Sequence, residues 1–296
     1  ADRAETAYVI GGLYGNVEAL HAILRMQEAE ARLGRRVQLV FNGDHNWFDV
    51  DAAAFREVNQ VALESLAIRG NVEAELGVAG DDAGCGCAYP DHVDAAVVQR
   101  SNRIHARLKA TAASQPDVLA RLEALPMFAR YLVGDCRVGV VHGDADSLAG
   151  WHFDGSNLPA AAASGWLGAA FDQAQVDLFA SSHTCAPVLA SVGTGRAPAR
   201  AVANNGAAGM PNFLGDLSGL CVRVALTPSP HEVVHEIMVA GAYVALMPVR
   251  YDVARWQALF LANWPEGTAA WESYMARINV GPDFTRRQAR LQVIGT

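Results

Sequence analysis

Short apolar runs that each stop at a glycine beside a polar side chain recur through this sequence, and that repetition narrows the folds open to it. Ala7 to Ile10 runs into Gly11-Gly12-Leu13-Tyr14-Gly15-Asn16, Val37 to Phe41 into Asn42-Gly43-Asp44, and Ala67 to Arg69 into Gly70-Asn71. Val138 to Val141 meets His142-Gly143-Asp144, Val176 to Ala180 meets Ser181-Ser182-His183-Thr184-Cys185, and Ala201 to Ala203 meets Asn204-Asn205-Gly206. Runs this short and this apolar read as buried strands. The first is followed by helical spacing from Asn16 to about Leu33, a strand, glycine turn and helix unit. An α/β fold follows, with the polar residues delivered to the carboxyl ends of the strands, the edge where open sheets bind ligands.

From about Gly77 the pattern changes to a glycine-rich stretch containing Gly84-Cys85-Gly86-Cys87, then helical spacing from Asp91 to about Leu125, read as a helical insertion over about 77–125. Leu220 to Leu226 and Glu232 to Met247 alternate like strands, and a helical tail carries Trp256, Trp264 and Trp271. With no internal repeat or low-complexity linker, residues 1–296 read as one domain whose C-terminal strands and tail occupy about 216–296. The tail either buries against the core or forms the interface of a homo-oligomer.

Net charge is -8, with 31 acidic against 23 basic side chains, which excludes a basic surface for gripping a nucleic-acid backbone. The apolar stretch from Ile237 to Val249 is too short to span a bilayer, and no basic-then-apolar leader opens the sequence. Five cysteines in 296 residues form no dense framework, so a reducing compartment, the cytoplasm, is expected, with thiols free or metal-bound.

Asp44, Asn71, His142 and His183 together supply one carboxylate, one amide oxygen and two imidazoles, a donor set suited to Zn, Mn or Fe. Each has a plain structural reading too: a histidine at a strand end is commonly a hydrogen-bonded scaffold residue, and Asp44 after a glycine suits a helix cap. Four strand ends presenting candidate ligands favour a convergent site. Gly11 to Gly15 lacks the GxGxxG spacing and the following acidic residue of a dinucleotide loop. Tyr14 either points its phenol at a substrate or plugs the space. Asn46, Trp47 and Trp151 follow ligand-bearing turns and are candidates for a pocket wall.

The series Gly15-Asn16, Gly43-Asp44, Gly70-Asn71, His142-Gly143, His183-Thr184 and Asn204 with Gly206 resembles the calcineurin-like metallophosphoesterases, whose motifs read DxHGN, GD, GNH, HG, GHTH and NPGS, over about residues 6 to 213. The resemblance implies a four-layer αββα sandwich of two mixed β-sheets flanked by helices. It implies a metal site formed by Asp44, Asn71, His142 and His183, with Asp44, His142 and His183 catalytic; Tyr14, Asn16, Asn46 and Asn204, placed beside these turns, are the candidates for substrate contact, Asn204 in a segment that borders the family's active site and shapes it. The family's other metal site needs a carboxylate and two imidazoles where this chain has Gly12, Tyr14 and Cys185, and its substrate-protonating histidine is Val72 here.

What the resemblance implies is therefore a metal-dependent phosphoesterase with a mononuclear or unusual centre holding Zn, Fe or Mn, hydroxide on the metal as nucleophile, and a small phosphorylated substrate. Glu73 or Asp49 would supply acid/base chemistry. A second ion depends on Cys185, Cys85 and Cys87 meeting as a thiolate-rich site; otherwise Cys185 is a small buried residue and the Cys-Gly-Cys a turn. Two alternatives stand beside this: a non-catalytic protein that keeps the pocket for ligand binding, and an enzyme redirected to another bond.

Overall fold

The computed structural model describes residues 4–80, 84–89, 93–193 and 200–293. The first half of the chain runs β1 (Thr6–Ile10), α1 (Val17–Arg32), β2 (Val37–Asn42), α2 (Ala52–Glu64), β3 (Leu66–Ile68), α3 (Asn71–Leu76), α4 (Ala95–Ala113), α5 (Pro116–Glu123), β4 (Phe128–Val133) and β5 (Cys136–Val141). It continues through α6 (Leu158–Ala163), α7 (Trp166–Ala174), β6 (Leu178–Ser181), β7 (Val188–Val192), β8 (Arg200–Asn204), β9 (Gly219–Ala225), β10 (His235–Val239), β11 (Ala242–Val249), α8 (Val253–Asn263), α9 (Ala269–Val280) and β12 (Arg290–Val293). Two mixed six-stranded sheets result, in the orders β10-β11-β9-β1-β2-β3 and β12-β7-β8-β6-β5-β4.

Period-two alternation builds the layers. Along β1, Ala7 and Val9 enter a core shared with Val138, Val140, Leu178 and Ala203 of the second sheet, while Tyr8 and Ile10 face a core shared with α1 and the C-terminal helices. β11 alternates likewise, Val244 and Leu246 inward, Ala245 and Met247 outward. On the second sheet, Phe179 and Val202 turn outward to pack with Leu167 and Phe171 of α7. The sheets therefore lie face to face with helices on both outer faces, the αββα arrangement.

Local signals set the helix ends. Asn16 Oδ1 accepts from Ala19 N at 3.0 Å to start α1, and Asp51, Asp94 and Asp252 cap α2, α4 and α8 in the same way. The helical spacing read from Asp91 divides into α4 and α5, because Pro116 suits a first helical turn but not an interior. Asp91 itself lies outside the described residues, as do 81–83 of the insertion and 294–296 of the tail.

The tail is not wholly helical. After α8 and α9 the chain ends in β12, which pairs in parallel with β7 at the edge of the second sheet. β4, β7 and β12 were all unread in the sequence: β4 and β12 are half-exposed edge strands without a continuous apolar run, and β7 follows the His183 turn directly.

One polar cluster sits in the first sheet's helix-facing layer. Arg223 on β9 donates Nε and Nη2 to the Glu30 carboxylate at 2.7 and 2.9 Å, Tyr8 Oη donates to Glu30 Oε1 at 2.6 Å, and Arg223 Nη1 donates to Thr227 O at 2.7 Å. All three side chains are buried. Burial opposes the Glu30 charge, yet Arg223 and the Tyr8 hydroxyl hold its carboxyl below the usual range. Arg223→Met would remove both of its hydrogen bonds to the buried carboxylate and leave Arg35 Nη1, 3.6 Å away, as the remaining cation; the expected loss is about 3–5 kcal/mol of folding free energy, read from denaturant midpoints.

Candidate metal centre

Four donor groups from both sheets meet at the carboxyl ends of their strands. Asp44 follows β2, Asn71 opens α3 after β3, His142 follows β5, and His183 follows β6. Asn71 Oδ1 lies 3.0 Å from His142 Nε2 and 2.9 Å from His183 Nδ1; those two nitrogens are 3.3 Å apart, and Asp44 Oδ1 is 3.3 Å from His142 Nε2. All four residues are buried. The ligand atoms of Asp44, His142 and His183 fall within 4.8 Å of one another.

Proton bookkeeping tests whether this set suits an ion. His142 Nδ1 sits 2.9 Å from Asn42 O, an acceptor, so Nδ1 carries the hydrogen and the neutral ring presents a lone pair at Nε2. That lone pair faces Asn71 Oδ1 and Asp44 Oδ1, which are acceptors as well. The amide is oriented with its oxygen inward because Asn71 Nδ2 donates to Cys85 O at 2.8 Å. Converging acceptors require positive charge between them, from a proton or a metal ion. Ligands bound to one ion at about 2.0–2.2 Å stand roughly 3.0–3.5 Å apart, close to the spacing found. The residues fit a single first-row ion.

The titration behaviour agrees. Burial disfavours a charged His142, but the adjacent Asp44 outweighs it and raises the imidazole above its ordinary value, while Asp44 is lowered against its own burial by the same neighbour. His183 is pushed down to about 4 by burial and by His142, so it remains a neutral donor. One proton on His142 is therefore what an ion displaces.

Around the donors, Glu73 ties two loops together. Its Oε2 accepts from Asp44 N at 2.8 Å and Gly70 N at 2.9 Å, and its Oε1 accepts from His45 N at 2.9 Å, Asn46 N at 3.2 Å and Asn46 Nδ2 at 3.1 Å. The two loops approach so closely that a Cβ on Gly43, at φ +96°, would stand 2.6 Å from Gly70 Cα and from His142 Nδ1. Tyr14, Asp44 and Cys185 all adopt left-handed backbone at φ 55°, 51° and 56°, a strained state for residues with side chains.

A cavity of about 340 Å3 opens over Asp44, Asn71 and His183, walled by Tyr14, Trp47, Tyr89, Trp151, Arg100 and Arg277. Three of these, Tyr89, Arg100 and Arg277, were not singled out in the sequence, since they come from the insertion and the tail, which carry no motif.

Several expectations are corrected. Of the four side chains expected at the substrate, Tyr14 lines the cavity, but Asn16, Asn46 and Asn204 are fully buried scaffolding. Asn16 caps α1 and donates to Gly209 O at 2.9 Å; Asn46 exchanges hydrogen bonds with Asn59; Asn204 Nδ2 donates to Thr184 Oγ1 at 3.1 Å. Cys85 and Cys87 are joined in a disulfide rather than free or metal-bound. Cys185 meets Tyr14, Sγ to Oη 2.7 Å, and burial pushes both groups above their ordinary values. Glu73 is consumed by amide donors and is not placed for proton transfer. Asp49 is buried beside the Trp47 amide, 2.8 Å from its N, and burial lifts its carboxyl to about 7.

Metal analysis should find about one ion per chain, lost in His142→Ala and kept in Cys185→Ser. Ion affinity should fall as pH drops through the raised His142 pKa, because the proton and the ion compete for Nε2; titration at several pH values reads this directly. In Glu73→Gln one carboxylate oxygen becomes an N–H donor facing amide donors, an expected cost of about 1–3 kcal/mol in thermal or chemical unfolding.

Among solved structures, a metallophosphoesterase from Sphaerobacter thermophilus superposes with TM-score 0.58 at 20% identity, covering 95% of this chain and 100% of that one. A hypothetical protein, PH1004 from Pyrococcus horikoshii OT3, superposes with TM-score 0.59 at 16% identity, covering 94% and 99%. No protein-family model matches the chain, and no curated protein sequence does. At these identities the likeness speaks to architecture, and with the paired sheets and the strand-end donors it shows that the chain has the calcineurin-like metallophosphoesterase fold.

Proposed function

We propose that the protein is a metal-dependent phosphoesterase working from a one-ion centre held by Asp44, Asn71, His142 and His183. The observation that carries this is the convergence of ligand atoms from these four groups at the floor of a cavity lined by Asp44, Asn71 and His183. An ion of the Zn, Fe or Mn class held there would polarise a phosphoryl oxygen and lower the pKa of bound water.

The chain's own groups then have separable tasks. His142 and His183 present neutral nitrogens, the first fixed in tautomer and direction by Asn42 O. Asn71 offers its amide oxygen because the Cys85 carbonyl takes its N–H. Tyr14, kept protonated by burial and by Cys185 beside it, places a phenol hydroxyl on the cavity wall as a donor to a phosphoryl oxygen. Aromatic walls at Trp47, Tyr89 and Trp151 suit an apolar or aromatic leaving group.

A second reading, a non-catalytic ligand-binding protein, is favoured by one observation. Tyr14 and Cys185 satisfy each other where the fold family places ligands, and Val72 stands at the position of its protonating histidine. Assays of aryl phosphate monoesters and diesters with Mn, Fe, Zn, Co and Ni separate the two. The phosphoesterase reading expects turnover with at least one ion and a fall of about 100-fold or more in His142→Ala. Ion binding without turnover on any ester would leave the binding protein.

A further inference from the structure

We infer that Arg277, carried by α9, is an oxyanion-binding residue that supplies the site's second positive charge on the side where Gly12, Tyr14 and Cys185 leave no ligands for a second ion. The inference rests on the phosphoesterase reading for the identity of the anion, a phosphoryl group, and on geometry for the rest. Arg277 lines the same cavity as Asp44, Asn71 and His183. Its guanidinium is aimed by two backbone carbonyls: Nε donates to Pro211 O at 2.8 Å and Nη2 to Cys185 O at 3.1 Å. The second of these belongs to the residue that stands in a ligand position of the missing site.

Two bonds use part of a five-donor fork, and among the described residues Nη1 has no protein partner. Among the described residues the hydrogen bonds of Arg277 go to backbone carbonyls and none to a carboxylate, although Glu272 lines the same cavity. A half-buried guanidinium oriented by carbonyls and lacking a carboxylate is poised for an external anion, and its planar fork matches phosphoryl oxygens. Arg100 reinforces the same wall from α4, its Nε donating to Ser273 Oγ at 2.8 Å, one turn of α9 before Arg277. A phosphoryl group seated here would have the ion on its Asn71 side and Arg277 on its Cys185 side, so that charge comes from two directions as in a two-ion site.

Calorimetric titration of the metal-loaded protein with inorganic phosphate tests the assignment. Arg277→Met should weaken phosphate binding by about tenfold or more, the range for losing a charged hydrogen bond, with ions per chain unchanged and partial recovery in Arg277→Lys. Wild-type protein provides a readout that needs no substitution: bound phosphate should protect Arg277 from phenylglyoxal, measured by peptide mass spectrometry. Equal phosphate affinity in Arg277→Met, absence of protection, or a wild-type protein that binds no phosphate would each overturn it. Arg277-dependent phosphate binding in a protein that hydrolyses no ester keeps this assignment and removes the catalytic reading. Unchanged kcat/KM in Arg277→Met keeps the catalytic reading and removes this one.

Discussion

The site depends first on one buried carboxylate. Glu73 accepts hydrogen bonds from the backbone of Asp44, His45, Asn46 and Gly70, and so joins the loop after β2 to the start of α3. Those loops carry Asp44 and Asn71, two of the four donors, and their close approach is what requires glycine at 43 and 70. A charged group in the interior is costly unless each lone pair is satisfied, and here the desolvation is met by amides that would otherwise be unpaired themselves. The loop geometry and the carboxylate are thus mutually necessary. The left-handed backbone at Asp44 is held by the same network.

Around that clamp, the two sheets share the work of building the centre. Asp44 and Asn71 come from the first sheet, His142 and His183 from the second, and His142 Nδ1 bonds to the carbonyl of Asn42 across the seam. The facing apolar surfaces of the sheets set their separation, so the donor spacing is fixed by core packing rather than by flexible loops.

Much of this was legible in the sequence because strand-end chemistry is local. Glycine next to a polar residue after a short apolar run is a readable pattern, and it located Asp44, Asn71, His142 and His183. Glu73 carried a readable signal as well, a glutamate three positions after the Gly70 that begins a helix, the spacing of a capping box. Its further bonds to Asp44, His45 and Asn46 depend on tertiary packing and had no sequence trace. Asn16, Asn46 and Asn204 were misassigned because an asparagine beside a motif reads identically whether its amide faces a cavity or a backbone carbonyl. The Cys85–Cys87 pairing and the approach of Tyr14 to Cys185 join groups whose meeting is decided by folding. The same holds for the wall formed by α4 and α9, whose residues follow no motif.

The C-terminal segment has one more consequence. α8 and α9 pack on the helical face of the first sheet and β12 then adds to the edge of the second, so this segment spans both halves of the sandwich. All four donors lie at or before residue 183 and are synthesised before Ser273 and Arg277 of α9. Vectorial synthesis therefore separates in time the two halves of the pocket: the floor that carries the four donors exists as sequence before the α9 wall that faces it.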